Sequence, residues 1–176
     1  LVDPIPGHCT FSGVIANFIP INYEVSEEEM TGAFHRALDF VIEHLGTLIA
    51  RYEYIMECSC VVEEEMAKGG ECLYFDRAMP WMEAFFELGG DDHPAKYLIM
   101  PAGSQWKLRG IPPTYDDRMR VRAPFPEKWA GLLQDDLKKV TGIEGAIFCH
   151  KGLFISVWES RADALEALKL AKELSS

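Results

Sequence analysis

No apolar run in the sequence approaches the ~18 residues that a membrane-spanning helix needs. The first residues, LVDPIPGHC, lack the basic start and apolar stretch of a secretory signal. Position 1 is not Met, so the chain is expected to be a fragment or a processed product. Cysteine is sparse and odd in number: Cys9, Cys58, Cys60, Cys72 and Cys149, without the spacing of a disulfide framework, which argues for reduced thiols. Cys58 and Cys60 would point apart on a helix and read as structural. The five histidines, His8, His35, His44, His93 and His150, form no i, i+4 pair and no H-E-x-x-H motif. No metal site is therefore expected within this chain alone. Basic residues are outnumbered, 17 against 28 acids, and the net charge of -11 disfavours a general polyanion-binding surface while leaving room for a local basic groove. There is no internal repeat and no low-complexity segment.

What is present suits a globular domain. The 176 residues are 48% apolar and 26% charged, enough for a sizeable core. Residues 11–19 read as a short helix capped by Thr10 or Ser12 and ended by Pro20. Ser26 with Glu29 three residues on fits a capping box. Met30, Phe34, Ala37, Leu38, Val41, Leu45, Leu48, Tyr52, Ile55, Val62 and Met66 then recur at helical spacings. The pattern persists to Lys68, where Gly69 and Gly70 stop it; ~40 residues at ~1.5 Å each make a rod of roughly 60 Å. Gly46 is the expected bend, and the far end of the rod is expected to pack on another domain or another copy.

Beyond the double glycine the pattern changes. Residues 71–76 read as a buried strand and 80–88 as a short helix with Pro80 in its first turn. Residues 96–101 and 105–112 read as a hairpin across Ala-Gly-Ser. Residues 113–126 form a Pro- and Arg-rich loop. A helix is expected over 127–140, divided at Gly131. Strands follow at 146–149 and 153–158, with His150 on the lip of the turn between them, and Ser160 caps a last amphipathic helix. The expected fold is α/β (α+β), with a mixed or antiparallel sheet of about five short strands, a long N-terminal helix and flanking helices.

Three features bear on chemistry. Cys149 and His150 are adjacent in a strand and point to opposite faces, so they form no dyad, and Cys149 reads as core. His150 is either a solvated turn histidine bonded to backbone or a donor to an anionic substrate. Between residues 105 and 128 lie Lys107, Arg109, Arg118, Arg120, Arg122 and Lys128 against three acids. Trp106, Tyr115 and Trp129 are interleaved with them and could stack on bases. The alternative is a surface loop neutralised by the acidic long helix, where residues 26–68 hold ten acids and three bases. Glu63, Glu64 and Glu65 read as a solvated run.

The same stretch carries a likeness. WKLRGIP at 106–112, Arg122, PFPEKWAGL at 124–132, TGIEGAIFCH at 141–150, Phe154-Ile155, Asp163-Ala164-Leu165 and, upstream, Pro80-Trp81 with Glu83 resemble the C-terminal half of the melanocyte-proliferating-gene exonuclease family, metal-dependent hydrolases related to DHH phosphoesterases. The resemblance implies residues 1–70 as a helical lead-in and long connecting helix, and 71–176 as an accessory domain that holds substrate, together one compact unit. It implies a divalent metal, Mn or Mg, on an N-terminal DHH-like domain outside this chain, since no D-H-H triplet occurs here and Asp92-His93-Pro94 is not one. It further implies an RNA or oligonucleotide substrate, 3'-5' exonuclease-type hydrolysis by the parent protein, an inactive isolated chain, and His150, Arg122, Arg109 and Lys107 as substrate contacts. Where some members carry two glycines after the Phe-Ile pair, this chain has Ser156-Val157, so side chains rather than bare backbone are expected to meet the ligand there. The expected location is the cytoplasm for a bacterial or archaeal source and nucleus or mitochondrion for a eukaryotic one, with no membrane partner. The competing expectation is an oligomerisation or interdomain scaffold without activity, assembled through the long helix.

Overall fold

The computed structural model describes residues 9–174. They fall into two compact units, residues 1–54 and 55–176, with the divide inside the long helix. In the first unit, α1 (Phe11–Ala16) starts at Thr10, whose Oγ1 accepts from Gly13 N at 3.1 Å. α2 (Glu27–Met66) starts at the expected capping box: Glu29 N donates to Ser26 Oγ at 3.2 Å and Ser26 N donates to Glu29 Oε2 at 2.9 Å. Three acids in its first turn suit the positive end of the helix dipole. Phe11 and Phe18 pack on Phe40, with ring centroids 6.2 and 5.4 Å apart. α2 runs through Gly46 without interruption over 40 residues.

The second unit is built on a five-stranded sheet ordered β1-β2-β3-β5-β4, from β1 (Cys72–Tyr74), β2 (Tyr97–Ala102), β3 (Gln105–Gly110), β4 (Ala146–Cys149) and β5 (Ile155–Trp158). β1 runs parallel to β2 and the other pairs are antiparallel, so the sheet is mixed. Around it lie α3 (Met82–Glu87), α4 (Gln134–Thr141) and α5 (Arg161–Leu174). The mixed α/β fold matches the sequence expectation.

The sheet buries residues on both faces. On one, Tyr97, Ile99, Leu108 and Trp158 pack with Leu137 of α4 and Ala164, Ala167, Leu168 and Ala171 of α5. On the other, Leu73, Leu98 and Met100 pack with Cys58 and Val62 from the last turns of α2 and with Trp81 and Phe85. Small residues on the inner face of α5 let its backbone approach the strands closely, while the tryptophans fill the remaining depth. No described helix is long and apolar enough to cross a membrane.

One part of the sequence reading holds and one fails. The stretch 127–140, expected to divide at Gly131, is a 3₁₀ turn, Glu127–Trp129, followed by α4, with Gly131 at φ +72° between them. Trp129, considered above as a stacking platform for bases, is fully buried between Phe125 and Trp158, with ring centroids 6.0 and 5.9 Å away. It is core and offers no exposed face for stacking.

The far end of α5 is tied back to the sheet by charge. Glu71, just ahead of β1, accepts from Lys96 Nζ at 2.7 Å and from Lys172 Nζ at 2.9 Å. These bonds, Lys96 first, pull its carboxyl from 4.5 down to about 2. A depressed carboxylate contributes stability above its unfolded value and loses it as pH falls through the folded one. Urea midpoints should therefore drop between about pH 4.5 and about 2, and Glu71→Gln should flatten the part of that drop due to this group.

Candidate functional site

The register of the sheet decides which side chains meet. The pleat of β3 puts Lys107 and Arg109 on one face and Trp106 and Leu108 on the other. Arg109 lies opposite Leu98 on β2 and Ile155 on β5. Lys107 lies opposite Met100 and Val157, and Val157 in turn lies opposite Phe148. Beyond the Cys149–Ser156 pair, His150 N donates to Ile155 O at 2.9 Å, which sets His150 across from Ile155. Two rows result on one face: Leu98, Arg109, Ile155, His150, and Met100, Lys107, Val157, Phe148. Arg109 and His150 stand two strands apart, about 10 Å between backbones. Lys107, Arg109, Phe148, His150, Ile155 and Val157 are all half-buried. Three of the four residues singled out in the sequence thus share one surface.

Its cations lack acids. Neither Lys107 nor Arg109 forms an ion pair among the described residues. Burial lowers the pKa of Lys107, and the charge of Arg109 lowers it further. Burial likewise lowers that of Arg109, with Arg118 adding to the effect. The Arg109 guanidinium lies 5.9 Å from the centroid of the Trp81 ring, and its Nε is buried without a hydrogen-bond partner. Arg118 lies over Tyr115 at 4.2 Å and donates from Nε to Tyr115 O at 3.1 Å. Cations held at a cost in solvation and mutual repulsion, with no carboxylate near, are suited to take an anion from outside. Arg118 already stands among the cations of the basic strip; the buried Trp81 beside Arg109 escaped the sequence reading, where the Pro80-Trp81 pair ahead of α3 was the available signal.

Arg122 stands elsewhere. Its Nε donates to Pro112 O at 3.1 Å, Nη1 to His93 O at 2.6 Å and Ala95 O at 3.0 Å, and Nη2 to Gly90 O at 2.7 Å and Pro113 O at 3.4 Å. A guanidinium has five N–H donors, and all are engaged by carbonyls. The group also lies over Phe85 and Phe86, 5.5 and 5.9 Å from their centroids. In this arrangement no donor remains for a phosphate.

The turn after β4 holds His150 firmly. Gly152 N donates to His150 Nδ1 at 2.9 Å and Leu153 N to His150 O at 2.8 Å. A Cβ at Gly152 would lie 3.2 Å from Nδ1 and 3.1 Å from Phe154 Cδ1, so a larger residue there would press on both rings. With Nδ1 accepting, the neutral ring carries its proton on Nε2, which has no partner among the described residues. The ring packs against Phe154 at 4.4 Å. Metal ligation finds no support in the donor set: no group of three or more His, Cys, Asp or Glu side chains converges among the described residues. Burial pushes the Cys72 and Cys149 thiols up to about 12, so neither is a thiolate at neutral pH.

The fold and site define a mixed α/β domain with a cationic, partly apolar sheet face. Residues 6–173 match the MYG1 family, described as Uncharacterised protein family (UPF0160), and the chain belongs to it. This is the family that the motifs at 106–112, 124–132 and 141–150 resemble. The chain is 51% identical over 164 residues to the MYG1 protein of Chlamydia muridarum, covering 93% of this chain and 56% of that protein. It is 49% identical to the MYG1 protein of Chlamydia trachomatis serovar D, at the same coverage. To the MYG1 exonuclease of Homo sapiens it is 28% identical over 168 residues, 89% of this chain and 44% of that protein. The chain spans about half the length of the curated relatives it matches. No solved structure matches it.

Arg122 gives the sharpest structural test. Lys has one charged nitrogen and cannot bridge five carbonyls, so Arg122→Lys should lower unfolding free energy by at least about 2 kcal/mol, measured by urea titration followed by tryptophan fluorescence.

Proposed function

We propose that this chain is the substrate-holding part of a metal-dependent phosphodiester hydrolase of the exonuclease type acting on RNA. In this reading the catalytic metal, Mn or Mg, is held by a DHH-like part of the same protein outside these residues. That metal would supply charge neutralisation and an activated water. The residues of this chain bind and orient. Lys107 and Arg109 take phosphate oxygens, His150 donates from Nε2, and Ile155, Val157 and Phe148 give an apolar floor for sugar and base. Arg122 keeps the neighbouring loop in place without touching substrate.

The observation that carries this reading is the pair Lys107 and Arg109, half-buried, without an acidic partner, on a chain of net charge -11. Acids were abundant enough to neutralise them. A surface loop serving only solubility would have no reason to hold two cations on a partly dehydrated sheet face. The relatives named MYG1 exonuclease in human and rat favour a nucleic-acid phosphodiester over another anion.

Fluorescence anisotropy with a short single-stranded RNA tests the assignment. The chain should bind, and Lys107→Ala and Arg109→Ala should each weaken binding and flatten the log–log salt dependence by about 0.7. Affinity should fall as pH rises toward the ordinary lysine value of 10.5, beginning below it because burial lowers the pKa of Lys107. Lys107→Ala should remove that alkaline decline. Equal affinities for wild type and both alanine variants would reject the proposed face.

A further inference from the structure

Within the first unit, α2 leaves a long apolar strip open. Phe34, Leu38, Val41, Leu45, Leu48 and Tyr52 recur at alternating spacings of four and three. That is a heptad repeat, which keeps one seam turned toward a helical partner. Five of these six side chains are 42% to 66% exposed, and Ile42 and Ile49 beside them are each 60% exposed. α1 and the turn after it lie on the adjoining side of the helix, where Phe11 contacts Phe40 and His44 and Phe18 contacts Phe40; of the strip, Phe34 lines a cavity with Ile15 and Ala16 of α1.

We infer that this strip is a homodimer interface, in which α2 packs against α2 of a second copy of the chain. Three observations support the second copy. A heptad seam calls for another long helix, and α2 is the only described helix of more than 14 residues. Residues 34–52 carry Arg36 and Arg51 against Asp39 and Glu43, so this segment is neutral on a chain of net charge -11 and two copies can meet without repulsion. The area also suffices. Seven large side chains at roughly half exposure offer about 100 Å² each. The strip then amounts to roughly 700 Å² per copy, close to the about 800 Å² that each partner gives a stable interface. Ile42 and Ile49 widen the contact beyond a narrow two-residue seam into a broad helix-on-helix face.

The interface is independent of the RNA-binding reading, since it uses none of the same residues. Sedimentation equilibrium of the chain over a wide concentration range tests it. Wild type should approach twice the chain mass, whereas Leu45→Glu and Ile42→Glu should remain monomeric at every concentration. Both side chains are exposed in the single chain, and unchanged fluorescence from Trp81, Trp106, Trp129 and Trp158 in the second unit would verify folding there. Glu43→Gln, on the opposite side of the helix, should dimerise as wild type does. A wild-type chain that stays monomeric, with the strip left to a lipid surface or to another part of the protein, overturns the inference. A dimer that both glutamate variants leave intact overturns it equally.

Discussion

β3 is the middle strand of the sheet, and its pleat sets alternate residues in opposite environments. Leu108 is fully buried in the core shared with α4 and α5. Lys107 and Arg109, one residue to either side, have to emerge on the other face. A shift of one residue in register would put two cations into the core and Leu108 outside it. The same alternation that secures the core therefore secures the candidate site. Neighbouring strands extend the division: Ser156 and Trp158 of β5 face inward, while Ile155 and Val157 complete the outer rows. Fold and candidate site meet in one strand, and the depressed basicity of its two cations is a direct consequence of where that strand runs.

Arg122 shows how a third cation serves architecture instead. Residues 111–126 form a long irregular connection after β3, whose exposed carbonyls would otherwise need water or a partner. The guanidinium satisfies two of them, at Pro112 and Pro113, and at the same time the carbonyls of Gly90, His93 and Ala95. The loop is thereby joined to the connection between α3 and β2, and Phe85 and Phe86 close over the group. His93 extends the network by contacting Met66 O through Nε2 at 2.9 Å. The segment bearing Arg118 is held near Arg109 by this frame.

Much of the fold was readable in the sequence because it rests on local rules. The capping box at Ser26, the cap at Ser160, the β2–β3 turn and the short apolar strands all follow from residues within a few positions of one another. The shared face of Lys107 and Arg109 was readable for the same reason. His150's membership of that face was less so, since it requires the order β3-β5-β4, which no single strand encodes. Arg122 and Arg118 look alike in a basic run, and only the carbonyls of residues 90–95, some thirty positions upstream, separate a clamp from an open cation. Trp129 misled similarly: bordering a basic strip suggests stacking, but Gly131 turns the chain so that the ring enters the core. Membership of the MYG1 family was carried by contiguous motifs and needed no fold to be seen.

The central claim is that one face of the sheet, and not the basic loop as a whole, holds the substrate. Backbone amide chemical-shift mapping during titration with a short single-stranded RNA addresses it most directly. The account predicts the largest shifts at Lys107, Arg109, Ile155 and His150, with α4 and α5 unmoved. Shifts confined to residues 116–120 of the loop, or concentrated along α5, would contradict it.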